Sequence, residues 1–479
     1  MERANLGLIG LGVMGSNLAL NLSDHGYKLC VYNRTYAHTE AFIQQHAQGR
    51  AITIARQLVQ FVAQLETPRI ILLMVTAGKA VDTIIEQLLP LLQPGDILID
   101  GGNSHYLDTH RRWQHLTPQG IHYVGMGVSG GEEGARHGPS LMPGGAAAAW
   151  PLIRDMFQTI AAKAHDQPCC QWLGDGGAGH YVKMVHNGIE YGDMQLIAEV
   201  CHLMRYGLGL DYETMADTFG GWNEGKLQSY LIEITSHILR RKDIDGSPLV
   251  DKILDRAGQK GTGLWTCIDA LEQAVPLTLI SEAVQARMLS ARKEERVAAA
   301  QILGSMPTPL PTQEQHTYLD ALQNALYAAK LVSYAQGFML LQIASNAYQW
   351  HLPYGDIALL WRAGCIIRSR FLDDIKASFA RQPVPTSLLQ DRFFAQELKQ
   401  AEMGWRQAVI LAMTQGIPAP ALASALTFYD GYRCANGSAN ILQAQRDYFG
   451  AHGYQRVDRD PALHFHTHWS EDGHEEQLS

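Results

Sequence analysis

Short apolar runs of the kind found in β-strands alternate with helix-like stretches over residues 1–177. Alternation of strands with helices is typical of β-α-β units, whose strands form a parallel sheet. The pattern therefore predicts an α/β domain that ends near residue 177. The strands that we predict are Leu6–Ile9, Lys28–Tyr32, Arg69–Val75, Asp96–Asp100 and Ile121–Val124.

The pattern changes at Ala178, where long segments rich in leucine, alanine, glutamine, glutamate and methionine follow one another with helical spacing. Almost all of residues 178–434 is therefore predicted to be a large all-α domain. Pro307–Gln313 contains three prolines and is predicted to be a loop between helices. Residues 435–479 are predicted to form a C-terminal tail, whose acidic and polar end, Ser470–Ser479, is expected to be solvated.

Two segments of the helical region resemble each other. Trp222–Ser229 and Trp361–Ser369 each begin with Trp-x-x-Gly, end in serine and precede an apolar helical pattern. Similarity at a fixed offset indicates an internal repeat, so we interpret the helical domain as a duplicated unit. A chance similarity between two helical hairpins is the alternative.

Composition narrows the possible classes of function. The net charge of -9 argues against a nucleic-acid-binding protein, which usually has a basic stripe. The seven cysteines include no C-x-x-C pair, so we expect neither disulfides nor a metal site, and a reducing compartment. No apolar run reaches the ~20 residues of a membrane-spanning helix, and the first predicted strand leaves no room for a signal peptide. We therefore expect a cytoplasmic protein that does not bind membranes.

A glycine-rich turn follows the first predicted strand and opens a helical pattern. Gly10 permits the tight turn, Gly12 lets the backbone approach a pyrophosphate, and Gly15 lets the helix pack against the strand. A purely structural turn is the alternative, but this strand–turn–helix context is the one that dinucleotide binding requires. Residues 1–177 are therefore predicted to be a Rossmann-type dinucleotide-binding domain.

The end of the second predicted strand indicates which dinucleotide binds. Proteins that bind NAD usually place an acidic residue there to hold the ribose 2′-hydroxyl. This chain has Asn33, Arg34 and Thr35 instead, and a guanidinium suits a 2′-phosphate. NADP is therefore the predicted cofactor, with Arg34 as an ordinary surface residue the alternative.

Polar and glycine-rich loops follow three later strands: Val75–Gly78, Gly101–Ser104 and Val128–Gly131. Ligands of open α/β sheets bind at the carboxyl ends of strands. We therefore expect these loops to line one crevice.

Beyond residue 177, a row of polar residues continues along one predicted helix. Lys183, His186, Asn187, Glu190 and Tyr191 are spaced i, i+3, i+4, i+7 and i+8, so they fall on one side of the helix. The residues between them are largely apolar, which is typical of a helix that lines a polar cleft. A lysine and a glutamate on one face can serve as base and acid. A solvated surface with an incidental histidine is the alternative.

At these residues the chain resembles the decarboxylating 6-phosphogluconate dehydrogenases, and the resemblance extends along nearly its whole length. The chain departs from the family pattern at Thr76, where lysine is common, and at Gly221, Cys434–Ser438 and Gly453. The stretches that carry the resemblance are Asp100–Ser104, Gly127–Arg136, Gly138–Gly145, Gly177–Glu190, Gln259–Gly263, Trp361–Ser369 and Gln443–His452.

The resemblance implies a role for individual residues. Lys183 is implied to be the general base and Glu190 the general acid, with no metal. The cofactor-binding residues that it implies are Gly10, Leu11, Gly12, Val13, Met14, Gly15, Asn33, Arg34, Thr35, Val75, Thr76, Ala77 and Asn103. The substrate-binding residues that it implies are Asn103, Ser129, Gly130, Gly131, His186, Asn187, Tyr191, Lys260, Thr262, Arg287, Arg446 and His452.

The implied activity is the NADP-dependent oxidation and decarboxylation of 6-phosphogluconate to ribulose 5-phosphate and CO2. The resemblance also implies a homodimer in which the tail donates Arg446 and His452 to the partner's site. A smaller β-hydroxyacid dehydrogenase is one alternative, but it would lack the basic pocket of Lys260, Arg287 and Arg446. A catalytically silent NADP-binding protein is the other, although Lys183 and Glu190 are both present.

Overall fold

The computed structural model describes residues 3–304, 315–470 and 473–478. The N-terminal strands are β1 Leu6–Ile9, β2 Leu29–Tyr32, β3 Ile52–Ile54, β4 Ile70–Leu73, β5 Ile97–Asp100, β6 His122–Ser129 and β7 Ser140–Gly145. They form one sheet in the order β3-β2-β1-β4-β5-β6-β7. A separate hairpin follows, made of β8 Lys163–Ala164 and β9 Gln167–Pro168.

Helices connect most of these strands, as the alternating pattern predicted. Every residue of β1, β4 and β5 is buried, which is expected of parallel strands covered by helices on both faces. The chain reverses its direction across the sheet between β1 and β4, so the loops after these two strands border a crevice. The helices are α1 Val13–Asp24, α2 Tyr36–His46, α3 Leu58–Ala63, α4 Lys79–Leu88, α5 Tyr106–Leu116, α6 Gly131–His137 and α7 Trp150–Ile160.

The predicted parallel sheet is confirmed for β1 to β6, and it is extended by β7, a strand that we did not predict and that pairs with β6 in antiparallel orientation. The β7 sequence contains Pro143, Gly144 and Gly145, residue types that are unusual within a strand. An edge strand tolerates them because only one side of its backbone needs hydrogen bonds from the sheet. The three-residue β3 was also not predicted.

The predicted change to an all-α region at Ala178 is confirmed. The loop predicted at Pro307–Gln313 lies outside the described residues. The helices of this region are α8 Ala178–His202, α9 Tyr212–Trp222, α10 Tyr230–Arg240, α11 Thr262–Glu272, α12 Thr278–Ser290, α13 Lys293–Leu303, α14 Gln315–Ala347, α15 Tyr354–Leu360, α16 Leu372–Phe379, α17 Arg392–Gln415 and α18 Pro420–Tyr432.

The first half of α8 lies directly on β6. A Cβ atom on Gly127 would approach the Cβ of Lys183 to 2.4 Å, and one on Gly179 would approach the carbonyl oxygen of Gly125 to 2.3 Å. Both distances are too short for any residue other than glycine. This close packing fixes Lys183 against the strand that ends at Ser129.

The two similar segments of the helical region pair with each other. Ser229 and Ser369 form an antiparallel bridge. The Tyr230 N–H donates to the Arg368 carbonyl, and the Arg370 N–H donates to the Gln228 carbonyl. This reciprocal pairing is consistent with a duplicated unit, which stays a prediction.

The chain divides into two compact units, residues 1–426 and 427–479. The second unit contains α19 Ala439–Gly450 and a hairpin of β10 His464–Thr467 with β11 Glu475–Leu478. Asp447 is buried within it and accepts hydrogen bonds from the Thr467 N–H and the Trp469 indole. The predicted domain limits at residues 177 and 434 stay predictions.

The end expected to be solvated, Ser470–Ser479, contains the strand β11, and its described residues are exposed or partly buried. Glu475 is the first residue of β11. It forms an ion pair with Arg456 at 2.9 Å and accepts a hydrogen bond from the Tyr454 hydroxyl at 2.8 Å. Within the described parts of the chain, none of the helices combines the length and the apolar character that crossing a bilayer requires.

Candidate active site

The turn between β1 and α1 has the geometry that its glycines predicted. Gly10 has a φ of 102°, which glycine adopts readily. A Cβ atom on Gly15 would lie 2.0 Å from the Gly10 carbonyl oxygen, whereas one on Gly12 would meet no described atom within 4 Å. Gly12 therefore borders open space where the unpaired N–H groups of the first helical turn begin. The turn fits a pyrophosphate.

The end of β2 is tied to this turn. The Leu11 N–H donates to Asn33 Oδ1 at 3.3 Å, and the Asn33 amide donates to the Thr35 carbonyl at 3.2 Å. Arg34, between them, is exposed and makes no hydrogen bond or ion pair to any described residue. Its guanidinium is therefore available to a ligand.

The loop after β4 lies beside the same turn. A Cβ atom on Gly10 would be 2.4 Å from the Met74 carbonyl oxygen, so the two strand ends are in close contact. Of the residues implied to bind cofactor, Val75 and Ala77 are partly buried and Thr76 is exposed. The structure thus brings the loops after β1, β2 and β4 to one edge of the sheet.

A buried aspartate that we did not predict shapes the loop after β5. Asp100 accepts hydrogen bonds from the Gly102 N–H at 3.0 Å, the Ser104 hydroxyl at 2.6 Å and the Tyr123 hydroxyl at 3.1 Å. Asn103 lies between two of these donors and is exposed. Asp100 therefore holds the loop that presents Asn103.

The polar side chains of α8 contact one another inside the protein. The Lys183 ammonium nitrogen lies 3.5 Å from His186 Nδ1, and Ser129 Oγ lies 3.2 Å from His186 Nε2. His186 Nδ1 is 3.0 Å from Asn187 Oδ1 and 3.9 Å from Glu190 Oε2. Lys183 is 6% exposed and His186 is fully buried. These values exclude the alternative of a solvated surface.

Burial displaces the protonation equilibria on this face. It lowers the pKa of Lys183, against the opposing effect of Glu190. Burial raises the pKa of Glu190, an effect that Lys183 and Arg287 oppose and Asp193 reinforces. Burial and the charge of Lys183 hold the pKa of His186 well below its usual value. Burial therefore shifts Lys183 towards its neutral amine and Glu190 towards its protonated acid.

The segment 361–369, which we had not assigned to the site, packs against the loop at Gly130 and against His186. A Cβ atom on Gly130, whose φ is 120°, would lie 2.6 Å from the Gly364 carbonyl oxygen. The Trp361 ring packs edge-on against the His186 ring, with centroids 5.7 Å apart. The loop Ser129–Gly131 therefore takes its shape from this segment, and no local sequence signal at either place shows the contact.

Residues implied to hold the substrate phosphate lie beside the polar face of α8. The Arg287 guanidinium stacks on the Tyr191 ring, 3.5 Å from its centroid. The Asn187 amide donates to the Thr262 hydroxyl at 3.0 Å. Lys260, close to Thr262 in sequence, is exposed.

Arg446 and His452 belong to the second compact unit, residues 427–479. Both are exposed. The Arg446 guanidinium donates to Gln443 at 3.2 Å, and the His452 ring packs edge-on against Phe449. Their contact with substrate stays a prediction.

Cysteine thiols and bound metal ions are two further sources of chemistry at an active site. All seven cysteines are free, and burial raises the pKa of the Cys365 thiol, the one near Lys183, to about 12. Such a thiol is not a nucleophile at neutral pH. Across the part of the chain that the structure describes, no group of three or more His, Cys, Asp or Glu side chains is placed to hold a metal ion.

Two family models match the chain in succession. The NAD binding domain of 6-phosphogluconate dehydrogenase matches residues 5–174, and the C-terminal domain of 6-phosphogluconate dehydrogenase matches residues 179–469. The decarboxylating 6-phosphogluconate dehydrogenase of Drosophila melanogaster is 54% identical over 98% of this chain and 97% of its own. That of Schizosaccharomyces pombe is 56% identical over 95% of this chain and 92% of its own.

A solved structure is similar over the same length. The 6-phosphogluconate dehydrogenase of Plasmodium falciparum, studied in apo form, with its cofactor NADP+ and with its substrate 6-phosphogluconate, has a TM-score of 0.94. It is 41% identical, and the match covers 97% of this chain and 100% of that one. The resemblance seen in the sequence is confirmed, and the chain belongs to the family of decarboxylating 6-phosphogluconate dehydrogenases.

Proposed function

We propose that the protein oxidises and decarboxylates 6-phospho-D-gluconate to ribulose 5-phosphate and CO2, with reduction of NADP+ to NADPH, in the oxidative pentose phosphate pathway. One observation carries the proposal: a lysine of lowered pKa and a glutamic acid of raised pKa, Lys183 and Glu190, share one face of α8. Relatives named for this reaction match 98% of the chain, which supports the substrate and the reaction type.

NADP fits the crevice at the edge of the sheet. The open space at Gly12 accommodates the pyrophosphate, and the unpaired guanidinium of Arg34 suits the 2′-phosphate. The loop Val75–Ala77 and Asn103 complete the residues that would hold it. When bound, its nicotinamide accepts a hydride.

Lys183 acts first, as a base. Its neutral amine takes the proton of the substrate 3-hydroxyl while the hydrogen on C3 leaves as hydride, which gives a 3-keto acid. His186 stays neutral at this stage, so it adds no charge that would compete with protonation of Lys183. Its ring is held by Ser129 and Asn187, which can bind the hydroxyl and carboxylate groups of the sugar acid.

Decarboxylation then uses the proton that Lys183 has gained. The bond between C1 and C2 breaks, CO2 leaves, and the electron pair delocalises onto the 3-keto oxygen, which takes the proton from the Lys183 ammonium. The product is an enediol. Glu190 protonates the carbon that lost CO2, and the enediol hydroxyl returns its proton to Lys183 as the ketone of ribulose 5-phosphate forms. Each residue therefore needs the protonation state that burial favours.

The substrate phosphate is proposed to bind at Tyr191, Lys260, Thr262 and Arg287. In a homodimer, Arg446 of the partner subunit and His452 of the partner subunit would complete this pocket. The support is the apolar face of α19, where Ile441, Leu442 and Phe449 are 61%, 58% and 73% exposed. Exposed apolar side chains on one helix favour docking against another surface.

We also propose that the protein works in the cytoplasm. Its seven free cysteines, five of them buried, are consistent with a reducing compartment.

The test is an assay with 6-phosphogluconate and NADP+ that follows NADPH absorbance and released CO2 together. We expect one CO2 per NADPH from the wild type and from Lys163→Met, a matched change at an exposed lysine of β8. Lys183→Met should form neither product. NADPH without CO2 would indicate a non-decarboxylating hydroxyacid dehydrogenase, and no NADPH would indicate a silent NADP-binding protein.

A further inference from the structure

The polar face of α8 continues for one helical turn beyond Glu190. Asp193 follows Glu190 at i+3 and Lys183 at i+10, so it lies on the same side of the helix. Asp193 is fully buried, and so is Lys330 of α14, whose ammonium nitrogen is 2.5 Å from Asp193 Oδ2. The Tyr334 hydroxyl oxygen lies 3.4 Å from the same oxygen. None of these three residues has a role in the reaction described above.

Tyr334 extends this group to the opposite wall of the site. Its hydroxyl donates to the Ile367 carbonyl at 2.6 Å and lies 3.3 Å from Ser369 Oγ. Both belong to the segment 361–369, which shapes the loop at Gly130 and packs on His186. One buried group of side chains therefore connects the catalytic helix to the segment that faces it.

Stability alone does not explain a charged pair at this place. Buried ion pairs are often replaced by apolar residues with no loss of stability, because desolvation offsets their attraction. Asp193 has a further unfavourable feature, since Oδ1 has no hydrogen-bond partner among the described residues. A buried acceptor without a donor is destabilising. A role in the electrostatics of the neighbouring acid accounts for both the position and the charge.

Several charged or titratable groups face Glu190. Lys183 and His186 lie on its own helix, and Arg287 approaches from α12. The cations Lys183 and Arg287 favour the ionised carboxylate of Glu190, which would remove the proton that the last step needs. Asp193 opposes them and raises the pKa of Glu190, in the same direction as burial. Burial also raises the pKa of Asp193 itself, and the Lys330 ammonium opposes that rise and favours the carboxylate. Facing Asp193 in turn are Lys330 and Tyr334 of α14.

We propose that Asp193, held by Lys330, is a positioning residue for the proton-donating step: it fixes the turn of α8 that carries Glu190 and places a carboxylate on the same face of the helix, one turn from this acid. The inference rests on the proposed function, in which Glu190 gives its proton to the enediol.

The decisive variant is Asp193→Asn combined with Lys330→Met, which removes both charges and leaves neither ion unpaired. Protonation of Glu190 is followed by the infrared carboxyl band that Glu190→Gln abolishes. We expect Glu190 to lose its proton at a lower pH than in the wild type, because Asp193 is among the charges that raise its pKa and Lys330 is not. The alkaline fall of kcat should move by the same amount. Glu199→Gln, a change at another buried carboxylate of α8, should move neither.

An unchanged titration of Glu190 in the folded double variant would overturn the positioning role, whatever the turnover. A shifted titration in a protein that does not convert 6-phosphogluconate would support that role and overturn the proposed function instead. If the double variant does not fold, wild-type protein with isotope-labelled aspartate decides. Asp193 must be ionised at a pH where Glu190 is protonated, and a protonated Asp193 at that pH overturns the proposal.

Discussion

Three cations proposed to bind phosphate differ in environment from the two groups proposed to move protons. Arg34, Lys260 and Arg446 are exposed, whereas Lys183 is buried and the Glu190 side chain is 22% exposed. A cation at the surface keeps its charge without cost and meets a hydrated phosphate directly. A lysine that must act as a base near neutral pH has to lose its charge, and burial achieves this.

This difference predicts two kinds of failure. Loss of an exposed cation weakens the binding of one ligand and leaves the chemistry intact. Loss of a buried titratable group stops a proton transfer and leaves binding largely intact. The following variants test the distinction, beginning with the one of largest expected effect.

Lys183→Met should lower kcat by at least ~10²–10⁴-fold, since a positioned general base contributes about that factor. Methionine has a similar shape, so calorimetric binding of 6-phosphogluconate should change little. The rate is measured as NADPH formation in a single turnover. Substantial turnover by this variant would show that another group is the base, and His186, 3.5 Å away, would be the next candidate.

Arg34→Ala should weaken the binding of NADP+ by roughly 10–100-fold, because it removes a charged hydrogen bond worth about 1.5–3 kcal/mol. NAD+ lacks the 2′-phosphate, so its binding should be nearly unchanged. Kd values for both dinucleotides, from fluorescence titration, check this. Equal loss for the two would mean that Arg34 does not hold the 2′-phosphate.

The sequence predicted some groups of the site better than others, depending on whether their partners are close in sequence. The turn Gly10–Gly15 and the face that contains Lys183 and Glu190 follow from local spacing, because neighbours along a helix or turn are neighbours in space. Asp193 lay one turn further on the same face, but its role depends on Lys330, which is far away in sequence. Such pairings carry no local signal.

Part of the sheet and one loop of the site were also not predicted, because contacts that are distant in sequence determine them. The β7 strand was missed because proline and glycine obscure its pattern, and pairing with β6 outweighs these local preferences. Asp100 resembled an ordinary strand residue, yet its hydrogen bonds shape the loop that presents Asn103. Long-range contacts decide these features.

Glu199 is a buried carboxylate outside the site, so its titration should affect stability and not the reaction. Glu199 accepts the N–H groups of Ala421 and Leu422, both at 2.9 Å, and so caps α18. Burial raises its pKa from 4.5 to about 7. The folded state therefore binds this proton more tightly than the unfolded state, and the resulting stabilisation is complete below pH 4.5 and lost as pH rises through 7.

Between pH 4.5 and 7, the free energy of unfolding of the wild type should therefore fall by about 3 kcal/mol relative to Glu199→Gln, which has no titrating group there. Urea unfolding followed by circular dichroism measures the difference. Parallel curves for the two proteins would show that Glu199 does not titrate in this range. The kcat profile should keep its shape, because Glu199 does not contact the polar face.

The smallest expected effect concerns the tail. If Arg446 of each chain serves its partner's site, a dimer of one Lys183→Ala chain and one Arg446→Ala chain contains one site that lacks both residues and one that is intact. Activity is measured at a 6-phosphogluconate concentration far below the KM of the Arg446→Ala homodimer, so that neither parent homodimer turns over appreciably: one lacks the base in both sites, and the other binds substrate too weakly in both. Purified mixed dimers, selected with two different affinity tags, should therefore have about half of the wild-type activity, from one of the two sites.

The alternative arrangement predicts a different outcome from the same mixture. If the tail folds back onto its own chain, every site of the mixed dimer lacks either the base or the phosphate-binding arginine, and mixing restores nothing. A mixed dimer of Arg446→Ala with wild-type chains controls for subunit exchange, since one intact site remains in either arrangement. A verified Lys183→Ala/Arg446→Ala dimer without recovered activity would therefore refute the shared site. Half activity would place an exposed cation of one chain beside the buried base of the other.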